Sequence, residues 1–169
     1  MLNKTDIEKY FIAEKQLGTV LIIVGAIALV SFLYALFVCK TQYCKGFSIP
    51  LCIVGFALIF MGIVKYNKSD NIRIGVIYAL DMNPELIKNK EIPRIISVNK
   101  TNTIIKYSEL ILLILGIAFY FYFKPGTDKP FLTGFAIALI IQAIIVLSFI
   151  LFAENKNLKY TQQLKEFVA

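Results

Sequence analysis

Glu109 is the residue of this sequence whose type and position best suit chemistry inside a membrane. It precedes an apolar run, Leu110–Phe123, and an acid within a membrane span is costly and usually functional, in proton coupling or ion binding. The structural alternative is a salt bridge at the membrane edge, to Lys106, Lys65 or Lys15. Lys106 lies three residues before Glu109 on the same helix face, so the two can pair. Because Glu109 is near the edge of its span, the salt bridge is the favoured interpretation.

Gln142 and Ser148 are polar residues within another apolar run and are six residues apart. Such side chains commonly form hydrogen bonds between membrane helices, each worth about 1 kcal/mol. The sequence therefore favours a packing role for both over a substrate-binding role. Small residues recur in the apolar runs as well, and they predict close approach of helix backbones. The glycines concerned are Gly18, Gly25, Gly55, Gly62 and Gly134.

Cys39 and Cys44 lie in a short polar link between two apolar runs. A disulfide there would close a very small loop, and two free thiols are the equally supported alternative. A redox-active motif would place two residues between its cysteines, whereas this link places four, and Cys52 has no nearby partner in the sequence. The pattern therefore argues against a disulfide-carrier enzyme.

The largest mixed-charge cluster lies in the central polar segment. Its usual interpretation is a solvated helical surface, and the functional alternative is a cytoplasmic docking face or contact with anionic lipid headgroups. The candidate docking residues are Arg73, Asp81, Glu91 and Arg94. The sequence has no histidine, the commonest general base and metal ligand. It shows no phosphate-binding glycine loop and no metal-ligand cluster, so we expect no catalytic residues, no metal site and no cofactor.

The composition is that of a membrane protein. Hydrophobic residues make up 58% and charged residues 17% of the 169 residues, with a mean hydropathy of +0.72. Soluble domains are usually about half apolar and about a quarter charged. The net charge of +7 does not indicate nucleic-acid binding, because the basic residues flank apolar runs instead of forming one stripe. The expected environment is a lipid bilayer.

Four apolar segments are predicted to be transmembrane helices, at about residues 17–39, 47–66, 104–123 and 131–153. A helix needs about 20 residues to cross a bilayer. Only 14 residues separate Glu109 from Lys124, or about 21 Å of helix. The third span must therefore begin near residue 104, with Lys106 and Glu109 inside it. Its far end is assigned to the turn Lys124-Pro125-Gly126.

Residues 67–103 form a polar and basic connector between the second and third spans. Asp70 is a candidate helix cap, and Asn83-Pro84-Glu85 resembles a further helix start. We predict a single all-α domain over residues 1–169, a polytopic membrane protein. Its four transmembrane helices would form two hairpins and a four-helix bundle, with helical cytoplasmic extensions.

The two predicted hairpins share short similarities. Asn67-Lys68 follows the second span as Asn155-Lys156 follows the fourth, and Gly55-Phe56-Ala57 resembles Gly134-Phe135-Ala136. The spacing differs between these pairs. A parallel repeat and shared membrane composition therefore remain alternatives.

Lys and Arg predict the orientation. Both termini and the connector together hold 14 of these residues, and the two short links hold 4. The positive-inside rule then places the termini and the connector in the cytoplasm. Frequent Ile, Lys and Asn fit an AT-rich bacterium, in which this membrane would be the inner membrane.

The expected function is association, without catalysis, with other membrane proteins. The chain would be an accessory subunit, an assembly partner or an immunity-type blocker, or would self-associate. The alternative is a homo-oligomeric channel, pore or small transporter, with Glu109 and Gln142 facing a shared axis. A membrane-embedded enzyme of unspecified reaction is the third interpretation.

Overall fold

A computed structural model describes residues 2–123 and 129–168, and every regular element within those ranges is helical. Each of the four long helices is long and apolar enough to cross a membrane. The expected turn at Lys124-Pro125-Gly126 lies outside the described residues. The helices are α1 (Lys4–Tyr34), α2 (Gln42–Met82), α3 (Ile92–Tyr122) and α4 (Pro130–Val168), with π-helical turns at Ala35–Cys39 and Ile87–Glu91.

The helix starts follow from local sequence. In α1 the Asn3 side chain accepts a hydrogen bond from the Asp6 backbone N–H at 2.9 Å, and the Asp6 carboxylate accepts one from the Asn3 N–H at 3.3 Å. This capping box satisfies N–H groups that a helix start otherwise leaves unpaired. Thr41 caps α2 by accepting from the Cys44 N–H at 3.2 Å. Asp70 does not cap a helix as expected, because α2 runs through it without a break.

The hairpins pack through their second helices. α1 lies along α2, and α3 lies along α4; the two hairpins then meet where α2 contacts α4. The contact between α1 and α4 is slight. Among the described residues no α-carbon of α3 lies within 8 Å of α1 or α2. The order across the molecule is therefore α1, α2, α4, α3.

Glycines bring α1 and α2 into backbone contact. A Cβ added at Gly18 would lie 2.9 Å from the Gly62 carbonyl oxygen, and one added at Gly62 would lie 2.7 Å from that of Gly18. Seven residues later in α1 and seven residues earlier in α2, a Cβ at Gly25 would lie 2.8 Å from the Gly55 carbonyl oxygen. The close approach predicted for these glycines is confirmed within the chain.

The contact between α2 and α4 is reciprocal. A Cβ at Gly46 would overlap the Phe131 carbonyl oxygen, and a Cβ at Gly134 would overlap that of Tyr43. Each carbonyl belongs to the residue three positions before the opposite glycine. Two parallel helices related by an approximate twofold axis along their length make this kind of contact.

An 88-residue shift, the separation of Gly46 from Gly134, also relates the buried faces of α2 and α4. It superposes Asn67-Lys68 on Asn155-Lys156, but it does not superpose the Gly-Phe-Ala pair noted in the sequence. All buried residues of α2 except Ala79 have a buried counterpart in α4. The buried α2 residues that correspond are Gly46, Ser48, Pro50, Leu51, Gly55, Leu58, Gly62, Ser69 and Val76, and their α4 counterparts are Gly134, Ala136, Ala138, Leu139, Ala143, Val146, Ile150, Asn157 and Leu164.

The larger apolar core lies at the end of the molecule that carries both termini and the connection between α2 and α3. We call this the polar end, because its outer surface bears most of the charged residues. All four helices contribute to its core, so this end is packed like the interior of a soluble protein. Its most buried side chains are Ile7, Phe11, Ile87, Ile95, Tyr160 and Leu164.

Candidate functional site

Glu91 and Arg94 form an ion pair inside the core of the polar end. The Nε and one Nη group of Arg94 each donate to the Glu91 carboxylate at 2.7 Å. The Tyr160 hydroxyl, on α4, donates to the same carboxylate at 2.9 Å. Glu91 is only 4% exposed, and three hydrogen bonds compensate the cost of burying its charge. The Arg94 guanidinium also lies 5.4 Å from the centre of the Phe11 ring.

Tyr10 extends this network to α1. Its ring stacks on that of Tyr160 with centroids 3.9 Å apart, and its hydroxyl donates to the Asn157 Oδ1 at 3.0 Å. The Asn99 side-chain amide donates to the Thr161 hydroxyl at 3.1 Å. The network therefore links α1, α3 and α4 through buried and partly buried hydrogen bonds. Sequence patterns identified none of these tyrosine contacts.

The tyrosines predict that stability falls in alkaline solution. Burial raises the pKa of Tyr10 above its ordinary 10.0, and Glu14 raises it further. Burial and then Glu91 raise the pKa of Tyr160 in the same way. Above about pH 10 the unfolded chain releases both protons while the folded chain retains them. The free energy of unfolding must therefore decrease as pH rises through that value.

Denaturant unfolding of detergent-solubilised protein at about pH 8 and about pH 11 measures this decrease. We expect a smaller decrease in the Tyr10→Phe, Tyr160→Phe double variant, which has no such protons to release. Lysine deprotonation affects both proteins alike, so the difference between them isolates the two tyrosines. The same pH dependence in both proteins would contradict the prediction.

Three of the ion pairs between helices lie where the apolar segments meet the polar end. Two of these join α1 to α2, and one joins α3 to α4. Each uses a lysine whose apolar stem can lie along its helix while its ammonium group reaches the acid. The pairs are Lys65 with Glu14 at 3.4 Å, Lys106 with Glu154 at 2.7 Å, and Lys15 with Asp70.

Glu109 does not form the expected salt bridge. Lys106, Lys65 and Lys15 each contact another acid. The Glu109 Oε2 is buried and has no hydrogen-bond partner among the residues that the structure describes. The same is true of the Nδ2 of Asn102, seven residues earlier on the same helix face. α3 thus carries two polar groups that its own chain leaves without partners over the described ranges.

The hydrogen bonds between helices that Gln142 and Ser148 were expected to form are not observed. Gln142 is 8% exposed, and its buried Oε1 has no partner within residues 2–123 and 129–168. Ser148 donates to the Ile144 carbonyl of its own helix at 2.8 Å. Ser148 is exposed and therefore belongs to the surface of α4.

The candidate docking residues divide between surface and interior. Arg73 contacts Asp70 at 3.5 Å on the surface, and Asp81 contacts Lys4 at 2.8 Å. Glu91 instead lies buried in the polar end, where its bond with Tyr160 holds α3 against α4, and Arg94 is half-buried, with a side chain that is 23% exposed. Arg73 and Asp81, and in part Arg94, are therefore available to a partner.

The structure joins Cys39 and Cys44 in a disulfide that closes the link between α1 and α2. Cys52 is a free thiol.

Over the described ranges no three His, Cys, Asp or Glu residues are grouped to hold a metal ion. No protein-family model, curated protein or solved structure matches the chain.

Proposed function

We propose that this chain is a multi-pass protein of a bacterial inner membrane, with both termini and the connector in the cytoplasm. In this proposal it acts by binding another protein at its polar end, without catalysis of its own. The apolar lengths of the four helices and the basic bias of the polar end support this placement.

The carrying observation is an apolar stripe on the part of α2 that extends beyond the apolar segments. Ile74, Tyr78 and Met82 are 62%, 59% and 72% exposed, and their spacing of four residues places them on one helix face. Large exposed apolar patches on a water-facing surface usually mark an interaction site. The stripe is therefore the candidate interaction site of the polar end.

Distance argues against lipid as the cover for this stripe. Lys65 marks the end of the apolar part of α2, and Tyr78 is 13 residues further along the helix. At about 1.5 Å per residue the stripe is centred about 20 Å beyond Lys65. The headgroup region of a bilayer is only about 5 to 8 Å thick on each side. The favoured cover is therefore protein.

A cavity beside the stripe gives this surface a concave shape and a positive charge. It holds about 340 Å³ between α2 and the connection to α3, and Gly75, Tyr78, Leu86 and Lys90 line it. The neighbouring Lys88 has no ion-pair partner among the described residues. We propose that the partner presents an amphipathic helix whose apolar side chains meet the stripe and whose acidic side chains face these lysines.

Photo-crosslinking in native membranes tests this proposal. A photoreactive residue at Tyr78 should give an adduct with a different protein, identifiable by mass spectrometry. The matched control is the same residue at Phe56, which is 62% exposed on the apolar part of α2. The Met82→Lys variant should reduce the Tyr78 adduct at least fivefold, because a charge would enter the apolar contact. Equal adducts from both positions would contradict the proposal.

The exposure of α3 supports a homo-oligomeric channel as a second candidate function. Only 6% of its most apolar stretch is buried, against 33% in α2, and Glu109 in that helix lacks a partner for its Oε2 over the described residues. Gln142, in contrast, is enclosed by its own chain and would not line a shared path. A crosslinked second copy from a photoreactive residue at Ile111, which is 59% exposed on α3, would favour this candidate.

A further inference from the structure

A cleft between α1 and α4, which contact each other only slightly, consists of two neighbouring cavities. Its first part, of about 340 Å³, lies at the polar end, and its second part, of about 400 Å³, reaches into the apolar segments. Ala13 and Lys156 line both parts. The cleft therefore changes from polar to apolar at the level of Lys156.

The polar part of the cleft has an excess of positive charge. Lys9, Lys156 and Lys159 line it, and none of them forms an ion pair with any residue that the structure describes. The only acid in the lining, Asp6, is engaged in the capping box of α1. Three lysines against one acid give this part of the cleft a net positive charge, which suits an anion.

The apolar part is lined by side chains suited to an acyl chain. Leu17 and Val20 come from α1, and Phe149 and Phe152 come from α4. The ammonium group of Lys156 lies 4.4 Å from the centre of the Phe152 ring. One lysine is thus positioned where a charged headgroup would join an apolar tail.

We propose that this cleft binds one anionic phospholipid of the cytoplasmic leaflet. Its phosphate would lie among Lys9, Lys156 and Lys159, and an acyl chain would lie between Leu17 and Phe152. Basic pockets between membrane helices on the cytoplasmic side suit such headgroups. The inference rests on the membrane insertion proposed above, but it does not depend on the docking stripe of α2.

Native mass spectrometry of the full chain in detergent tests the proposal. Phosphatidylglycerol and phosphatidylcholine with identical acyl chains would be added at equal concentration. We expect the wild type to retain one phosphatidylglycerol at least tenfold more than phosphatidylcholine. Glycerol phosphate, which carries the headgroup charge without acyl chains, should not displace it. Displacement at comparable concentration would show a free-phosphate site and overturn the lipid assignment.

The Lys156→Gln, Lys159→Gln variant should lose the preference, with retention of phosphatidylglycerol at least tenfold lower. Lys68→Gln is the matched control, because Lys68 occupies on α2 the position that Lys156 occupies on α4 and lies outside this cleft. Equal retention of the two lipids by the wild type would overturn the proposal, as would equal losses in both variants. Flotation with phosphatidylcholine vesicles separates this failure from a failure of membrane insertion, since an inserted chain floats whichever lipid it prefers.

Discussion

Glu91→Gln is expected to destabilise the folded chain by about 3 to 5 kcal/mol, the usual cost of breaking a buried ion pair. Burial opposes the charge on Arg94, yet its hydrogen bonds to Glu91 hold its pKa above the ordinary value. An arginine side chain does not lose its proton in proteins, so Arg94 remains charged when the acid is lost. Glutamine would leave that charge in the core, and it would weaken the acceptor that Tyr160 uses.

Asp81→Asn is the matched control for this change. Asp81 also pairs with a lysine, Lys4 at 2.8 Å, but its side chain is 44% exposed, and exposed pairs contribute little. Detergent-based denaturant unfolding, followed by circular dichroism, compares the variants. Replacing both Glu91 and Arg94 with leucine should cost less than Glu91→Gln alone, because no charge remains buried. A Glu91→Gln protein as stable as Asp81→Asn would contradict the role given to this pair.

Gly46→Ala is expected to separate α2 from α4 and to lower stability by about 1 to 3 kcal/mol or more. The added methyl group would overlap the Phe131 carbonyl oxygen. That obstacle is backbone, so no side chain can rotate away and the helices themselves must move.

The same substitution at Gly75 provides the control for Gly46→Ala. Gly75 lies in the same helix, and no atom would be within 4 Å of its added Cβ. There alanine should stabilise the helix by about 0.5 to 1 kcal/mol, because it restricts the unfolded chain more than glycine does. Thermal unfolding followed by circular dichroism measures both variants. Shifts of the same sign and size would show that the glycine contact between α2 and α4 is not close.

Local patterns predicted the parts of this fold that depend on local sequence. The helices follow from the lengths of the apolar runs, and the contact of Gly18 with Gly62 follows from the small residues within them. Local sequence did not predict which acid each lysine contacts. Lys106 and Glu109 are neighbours on one helix, yet Lys106 contacts Glu154 on another, because the relative positions of two helices decide which acid is nearest.

The buried network of the polar end was missed for a related reason. Glu91 and Arg94 flank Pro93, so their sequence resembles an exposed helix start. Their burial depends on Phe11 and Tyr160, which are far away in the chain. Aromatic and apolar residues at helical spacing in both terminal segments were the available signal. That spacing indicates a buried face outside the membrane, although it does not show what the face covers.

The reciprocal contact of Gly46 and Gly134 has a consequence for the origin of the chain. α2 and α4 present corresponding residues to each other, as the two subunits of a symmetric homodimer do. Dimerisation of a single hairpin through this glycine, followed by tandem gene duplication and fusion, would produce this arrangement. α1 and α3 lie at the two outer edges, where divergence after fusion would leave the central contact intact.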